Sequence, residues 1–338
     1  MKKLIDFFTE PLVELLARQS TPNGDLDCVQ IESVVEPNPY NQNSLIYRPI
    51  SFKDYIGQNK AKNILQSYIK ATKERNTNIP HILIHGKAGC GKTTLAKIVA
   101  NESQNKFIER ITSTITTAND LISLINEADG GIIFLDELHG LERGIAESLY
   151  SIMEDFKYNG LPIKPFTFIG ATTELGELLK NRKPFVDRFK IIIELEDYNT
   201  KDLMVMAKQY KGAMFASEWV EESDYELISK NSRLTPRTCI RLTEATIYLK
   251  DVKQVLNNFD VIKDGYTHKD LKVLRYVSFN EKGVGLQGLV AYLDTSDKNY
   301  IYNIEPFLLK NGLIIRTPRG RKITEAGKLK IIELEKLI

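Results

Sequence analysis

Residues 81–94 read "HILIHGKAGCGKTT". A short apolar run ends at Gly86, further glycines follow at 89 and 91, and Lys92, Thr93 and Thr94 open a stretch with helical spacing. The pattern is G-x-x-x-x-G-K-[ST] between a strand and a helix. Glycines at these positions let backbone N–H groups turn inward around phosphates, and the helix N-terminus adds its partial positive charge. Lys92 is expected to reach the β- and γ-phosphates, and the Thr93 hydroxyl to hold Mg²⁺.

The elements on either side agree with an α/β fold. "NKAKNILQSYIKATKER" has helical periodicity; "KFIERI", "GIIFLD", "FTFIGA" and "RFKIIIELEDY" read as strands, alternating with helices from Lys92, near 117–127 and at 141–155. Several of the strands are almost continuously apolar, which predicts a parallel sheet covered on both faces. This region is assigned to residues 47–198. Residues 199–263 then read as helices only, a small all-α lid domain. Residues 264–338 read as three helices, two short strands around "IIRTPRGRK" (314–322) and a closing helix, the order of a winged helix. Upstream, Leu4, Phe8, Leu12 and Leu15 predict an amphipathic helical segment over 2–18, and an Asn-, Pro- and Ser-rich linker completes residues 1–46.

Bulk properties exclude several classes. The 338 residues are 42% hydrophobic and 27% charged, with a formal net charge of +2. Cys28, Cys90 and Cys239 are too few and too scattered for a disulfide framework, and four histidines make a histidine-based metal site unexpected. No apolar run approaches the roughly 18 residues needed to span a bilayer. These features predict a cytoplasmic protein without a membrane partner.

Further motifs continue the nucleotide chemistry. Asp136 and Glu137 end the strand of "GIIFLDELHG"; the first carboxylate would support Mg²⁺ and the second polarise the attacking water. "FTFIGATTE" ends in threonines able to position water near the γ-phosphate. "PFVDRFK" places Arg188 where a neighbouring subunit could use it against developing charge, the alternative being a surface ion pair with Asp187. Arg237, just inside a helix begun by Thr235 and Pro236, opposes the helix dipole and so requires an anionic partner. Arg316, Arg319, Arg321 and Lys322 crowd the "IIRTPRGRK" turn of an almost neutral chain, suited to duplex phosphates rather than to solubility alone.

Together these residues resemble the RuvB-type Holliday-junction branch-migration motors, which are AAA+ ATPases. The resemblance runs from "RPISFKDYIGQ" (48–58) through the phosphate loop, "FLDELH", "MEDF", "FTFIGATT", "DRF" and "LTPR" to "EPFLLKNGLIIRTPRGRKITEAG" (305–327). It implies an ATP and Mg²⁺ enzyme acting on double-stranded or four-way junction DNA as a homo-oligomer, six subunits being the family expectation. It further implies that Tyr47, Arg48 and Ile56 form the nucleotide pocket, closed by Tyr198 from the lid side, and that Gly89, Gly91, Lys92, Thr93 and Thr94 contact phosphate. Thr93 and Asp136 would serve the metal, Glu137 the water, and Thr173 would act as sensor. Arg188 would be the arginine finger, with Glu154, Asp155 and Phe156 beside it, and Arg237 the second sensor. Lys298, Arg316, Arg319 and Arg321 would meet DNA.

The chain departs from the family pattern in places. Lys87 and Ala88 stand where the family usually has two prolines, Gly140 where it has Arg, and Leu234 where it has Gly. Only "KYNGLPIK" (157–164) links "MEDF" to "PFTFIGATT", where the family carries a longer β-hairpin that docks RuvA. Eight residues leave room for a stub, which counts against engaging a RuvA-type partner through this hairpin. Two other readings stay open: a RuvB-like loader or remodeller on DNA, and a DNA-binding protein with structural ATP.

Overall fold

A computed structural model describes residues 47–280 and 282–338. The segment expected over 2–18, its linker and Cys28 lie outside the described residues. Helix α1 (Asn59–Arg75) precedes β1 (Ile82–His85), which the phosphate loop joins to α2 (Lys92–Ser103). There follow β2 (Phe107–Ile111), α3 (Ala118–Ala128), β3 (Ile132–Asp136), α4 (Arg143–Asp155), a hairpin of β4 (Lys157–Tyr158) and β5 (Leu161–Pro162), β6 (Thr167–Thr172), α5 (Leu175–Val186) and β7 (Ile191–Glu194). Five strands form one parallel sheet in the order β2-β3-β6-β1-β7. Because β6 lies between β1 and β3, its terminal threonines come between the phosphate loop and the acid pair.

Strand alternation sorts the apolar residues onto two faces. Ile82, Ile84, Ile132, Phe134, Ile169 and Ala171 face one cluster, while Leu83, Ile133, Leu135 and Phe168 face the other. The first cluster does not stop at the sheet. It takes in Leu203 and Ala207 of α6 (Thr200–Met214), Ile228 of α7 (Glu222–Lys230), Leu242 of α8 (Pro236–Leu249) and Val255 of α9 (Val252–Asn258). The lid helices therefore share their core with one face of the sheet. At the far end of β1, buried His81 accepts from the Phe168 N–H at 2.9 Å and lies 3.2 Å from the Met153 carbonyl, so the neutral ring with Nε2 protonated satisfies both. Burial chiefly pushes its pKa down to about 4.

The expectation of helices alone over 199–263 fails in its last three residues. Val261–Lys263 forms β8, paired with β9 (Tyr266–Thr267) across Asp264 and Gly265, both with positive φ. An Asp-Gly pair is a strong turn signal, and it ends the lid. The β4–β5 hairpin turns in the same way at Asn159 and Gly160 and has only two residues per strand, the expected stub. Its Leu161 is exposed.

Thr267 and Asp270 form a capping box that starts α10 (His268–Phe279). Helix α11 (Leu286–Leu293) follows, and α12 (Asp297–Asn299) runs through a π turn (Tyr300–Ile304) into α13 (Glu305–Lys310). The hairpin of β10 (Ile314–Thr317) and β11 (Gly320–Ile323) and helix α14 (Glu325–Glu335) complete a winged helix with its own core, including Leu271, Leu274, Leu308 and Leu334. Arg233 of the lid pairs with the fully buried Asp270 carboxylate and lies over the Phe307 ring at 4.6 Å, which ties this domain to the helices before it.

Candidate functional site

The phosphate loop has the backbone its glycines allow. Gly89 and Gly91 have φ of +75° and +102°, and neither has room for a side chain. A Cβ at Gly89 would come within 2.9 Å of Arg237 Cβ, and one at Gly91 within 2.7 Å of Tyr55 Oη. Lys92 is buried, and its Nζ donates to the Gly86 and Lys87 carbonyls at 2.9 and 3.1 Å. These carbonyls hold the ammonium at the mouth of the loop, where a phosphate would meet it.

Across the sheet, the Thr93 hydroxyl faces Asp136 Oδ2 at 3.4 Å. Asp136 Oδ1 accepts from the N–H of Glu137, a residue in the left-handed region with φ +51°. The Thr173 hydroxyl donates to Glu137 Oε2 at 3.0 Å, and His139 Nδ1 lies 3.3 Å from the same oxygen and 3.2 Å from the Thr172 hydroxyl. The second carboxylate is thus oriented from two sides, and inserted strand β6 supplies one of them.

A cavity of about 340 Å³ lies over the loop. Tyr47, Arg48, Ile56, Gly89, Gly91, Lys92, Thr93, Thr94, Asp136, Glu137, Tyr198 and Arg237, named from motifs or from the resemblance, all line it. Its size lies in the range of small-molecule sites, with apolar walls at one end and phosphate donors at the other. Tyr198 works from beneath: its hydroxyl donates to the Cys90 carbonyl at 3.1 Å and lies 3.2 Å from the Tyr55 hydroxyl. Burial pushes the Tyr198 phenol up to about 12, so it stays a neutral donor. Motif reading missed Tyr55, Met206, Gln209 and Ile240, which also line the cavity. Tyr55 stood within the quoted "KDYIGQ"; the three lid residues carry no motif, only helical spacing.

The donor set fits Mg²⁺. Among the described residues no group of three or more His, Cys, Asp or Glu side chains could hold a metal alone. One hydroxyl and one carboxylate at the loop suit a cation that takes its remaining ligands from phosphates and water.

Four expected residues lie elsewhere. Arg188 does not enter its own chain's cavity; it pairs with Glu154 at 2.6 Å, not with Asp187, and lies over the Tyr150 ring at 5.8 Å. Glu154 and Asp155 lie beside it at the end of α4, also outside the cavity. Phe156 needs a correction. With φ +50° it caps α4 and packs half-buried against Phe166 and His81 at the core beneath the sheet, outside this chain's cavity.

The wing also differs from expectation. Arg316 and Arg321 stand opposite each other in the β10–β11 ladder, where like charges repel. Both resolve this on Glu305, whose carboxylate is fully buried: Arg316 donates to it at 3.1 and 2.8 Å, Arg321 at 2.7 and 3.2 Å. Burial would raise the Glu305 carboxyl, but the hydrogen bonds and charges of the two guanidiniums outweigh it and hold it below the ordinary range. The Arg321 side chain is only 14% exposed and lies over the Tyr300 ring, whereas that of Arg316 is 56% exposed. The structure therefore makes Arg321 a brace of the wing rather than a surface contact. Arg319 at the turn and Lys298 in α12 are exposed.

Comparison with known proteins agrees with both halves of this description. Residues 47–195 match the family model described as the Holliday junction DNA helicase RuvB P-loop domain, and residues 263–332 match the RuvB C-terminal winged helix domain. The chain is 34% identical over 306 residues to the Holliday junction branch migration complex subunit RuvB of Mycoplasmopsis pulmonis, covering 83% of this chain and 96% of that one. The corresponding subunit of Lactobacillus johnsonii is 36% identical over 315 residues, with 85% and 91% covered. Among solved structures, the Thermotoga maritima RuvB Holliday junction branch migration motor superposes with a TM-score of 0.74 at 34% identity, covering 84% of this chain and 98% of that one. With alignment this extensive at this identity, the chain belongs to the RuvB family of P-loop ATPases.

Proposed function

We propose that the chain is an ATP-driven motor that moves four-way junction DNA in recombination and repair, and that its protomers share each ATP between neighbours. One observation supports the shared site above the rest. The cavity holds a lysine, a metal-binding pair and an oriented carboxylate, but the arginine expected to complete it points away from it in the same chain.

In this reading Tyr47, Arg48 and Ile56 hold the base, and the loop N–H groups with Lys92 hold the phosphates. Thr93 and Asp136 would hold Mg²⁺, which would supply charge neutralisation on the phosphates. Glu137, fixed by Thr173, orients the attacking water. Arg237 carries the state of the phosphates to the lid, since its N–H is already 3.4 Å from the Gly89 carbonyl. Arg188 of the next protomer meets the charge that develops on transfer, exchanging Glu154 for phosphate oxygens. A ring of such protomers, six by family expectation, puts the exposed Arg319 and Lys298 against a duplex, positioning it without reading its sequence.

The relatives are named as subunits of a branch migration complex, and at this hairpin a RuvA-type partner would meet the β4–β5 stub and its exposed Leu161. Strand exchange on a synthetic four-way junction tests the motor. The wild-type chain with ATP and Mg²⁺ should separate the junction into duplex products, and Lys92→Ala should not. ATP hydrolysis without any exchange would favour a loader, the reading that the shortened hairpin keeps in view.

A further inference from the structure

The segment that follows β7 runs along the phosphate loop. The Leu195 N–H donates to the His85 carbonyl at 2.8 Å, a Cβ on Gly86 would lie 3.0 Å from the Leu195 carbonyl, and the Tyr198 hydroxyl reaches Cys90. Between them stands Asp197. Its carboxylate takes Lys87 of the phosphate loop on both oxygens, at 2.7 and 3.0 Å. The same carboxylate takes the ammonium of Lys310, the last residue of α13 in the winged domain. Burial would raise the Asp197 carboxyl, but the hydrogen bonds and charges of Lys310 and Lys87 outweigh it and hold it below the ordinary range.

Lys87 is one of the positions at which this chain departs from the family's usual proline. A proline there would stiffen the loop through its own ring. A lysine does not, and its side chain is held from outside instead. A second approach brings the same segment toward the site: Tyr302 lies close enough to Glu174 for the carboxylate to raise its phenol, and that carboxylate lies 3.7 Å from His139 beside Glu137. The segment from Tyr300 to Lys310 thus touches the neighbourhood of the phosphate loop and that of the acid pair.

We propose that Asp197 is a positioning residue which, by sharing one carboxylate between Lys87 and Lys310, links the conformation of the phosphate loop to the placement of the winged domain within one protomer. Lys310 lines no part of the cavity, and the Asp197 carboxylate it shares with Lys87 is its contact with the phosphate loop. Linkage is reciprocal: whatever moves α13 away from Asp197 changes nucleotide affinity, and nucleotide changes the hold on α13 by the same factor. The inference rests on reading the cavity as a nucleotide site.

The test is a double-mutant cycle on the full chain, with a fluorescent ADP analogue as probe and kcat measured alongside. Lys310→Ala should raise the dissociation constant for the probe by about two- to fivefold, the scale of a half-exposed ion pair, and leave kcat at saturating ATP close to wild type. Asp197→Asn should do at least as much, and Lys310→Arg should restore binding. In a Lys87→Ala background the Lys310→Ala effect should vanish, and it should shrink with rising salt. An unchanged dissociation constant in Lys310→Ala would overturn the proposal, as would an effect that persists undiminished without Lys87. A wild-type chain that binds no probe would overturn both this proposal and the nucleotide reading.

Discussion

The phosphate loop and the wing hairpin are both short turns shaped by glycine and supplied with cations, yet they use those cations in opposite ways. Lys92 is tethered only to backbone carbonyls and sits at the edge of a cavity. Arg316 and Arg321 both pair with a buried carboxylate, Arg321 is nearly covered by it, and the hairpin's exposed cations are Arg316 and Arg319. A carbonyl tether gives way to a phosphate, whereas a bidentate pair on a buried carboxylate does not. Charge density in a sequence therefore indicates a binding surface only after its internal partners have been subtracted.

The most direct way to break this comparison is to remove the partner. Glu305→Ala should cost the winged domain about 3–5 kcal/mol, because it leaves Arg321 buried and unpaired in a ladder facing a like charge. Thermal unfolding followed through the winged domain measures it, and a loss below about 1 kcal/mol would mean that the pairs are only surface contacts.

Acid should separate the two regions. The His81 pKa falls to about 4 in the folded chain, so the unfolded chain binds the extra proton first as pH drops from about 6.5. The sheet domain should lose about 3 kcal/mol between those values, stability being fully present above the upper one. Glu305, held below the ordinary carboxylate range, keeps its two arginines over the same interval and loses them only at lower pH. Denaturant midpoints against pH should flatten in His81→Gln; an unchanged profile would show that His81 titrates without resistance.

The smallest effect distinguishes the arginines themselves. Arg319→Ala should weaken duplex binding severalfold and reduce the slope of log affinity against log salt by about 0.9, one phosphate contact. Arg321→Ala should act first on stability. Equal salt slopes for the two variants would erase the distinction drawn between brace and contact.

How far the sequence could be read follows the same division. Phosphate-loop chemistry is local: Gly89, Gly91, Lys92 and Thr93 stand within five consecutive positions, and their types alone dictate their roles. The acid pair and Thr173 were readable because apolar strands end at them. The inward turn of Arg321 was not, since its partner Glu305 lies sixteen residues upstream and no spacing rule joins them. Periodicity showed that Leu203, Ile228 and Leu242 were apolar, but not that the cluster they form with one another would run on into the core on one face of the sheet. The resemblance put Phe156 beside Arg188 together with Glu154 and Asp155, and only its ring contacts with Phe166 and His81 reveal that it turns toward the core. The β8–β9 hairpin was signalled by "KDG" but is too short to break a helical reading.

Shared sites are the central claim, and mixing two defective chains tests them most directly. Lys92→Ala lacks its own phosphate lysine, Arg188→Ala lacks the arginine given to a neighbour, and each alone should be nearly inactive. Mixed in equal amounts and allowed to reassemble, they should recover about a quarter of the wild-type ATPase rate, from sites that pair an intact lysine with an intact neighbouring arginine. A mixture no more active than its two components would contradict the account.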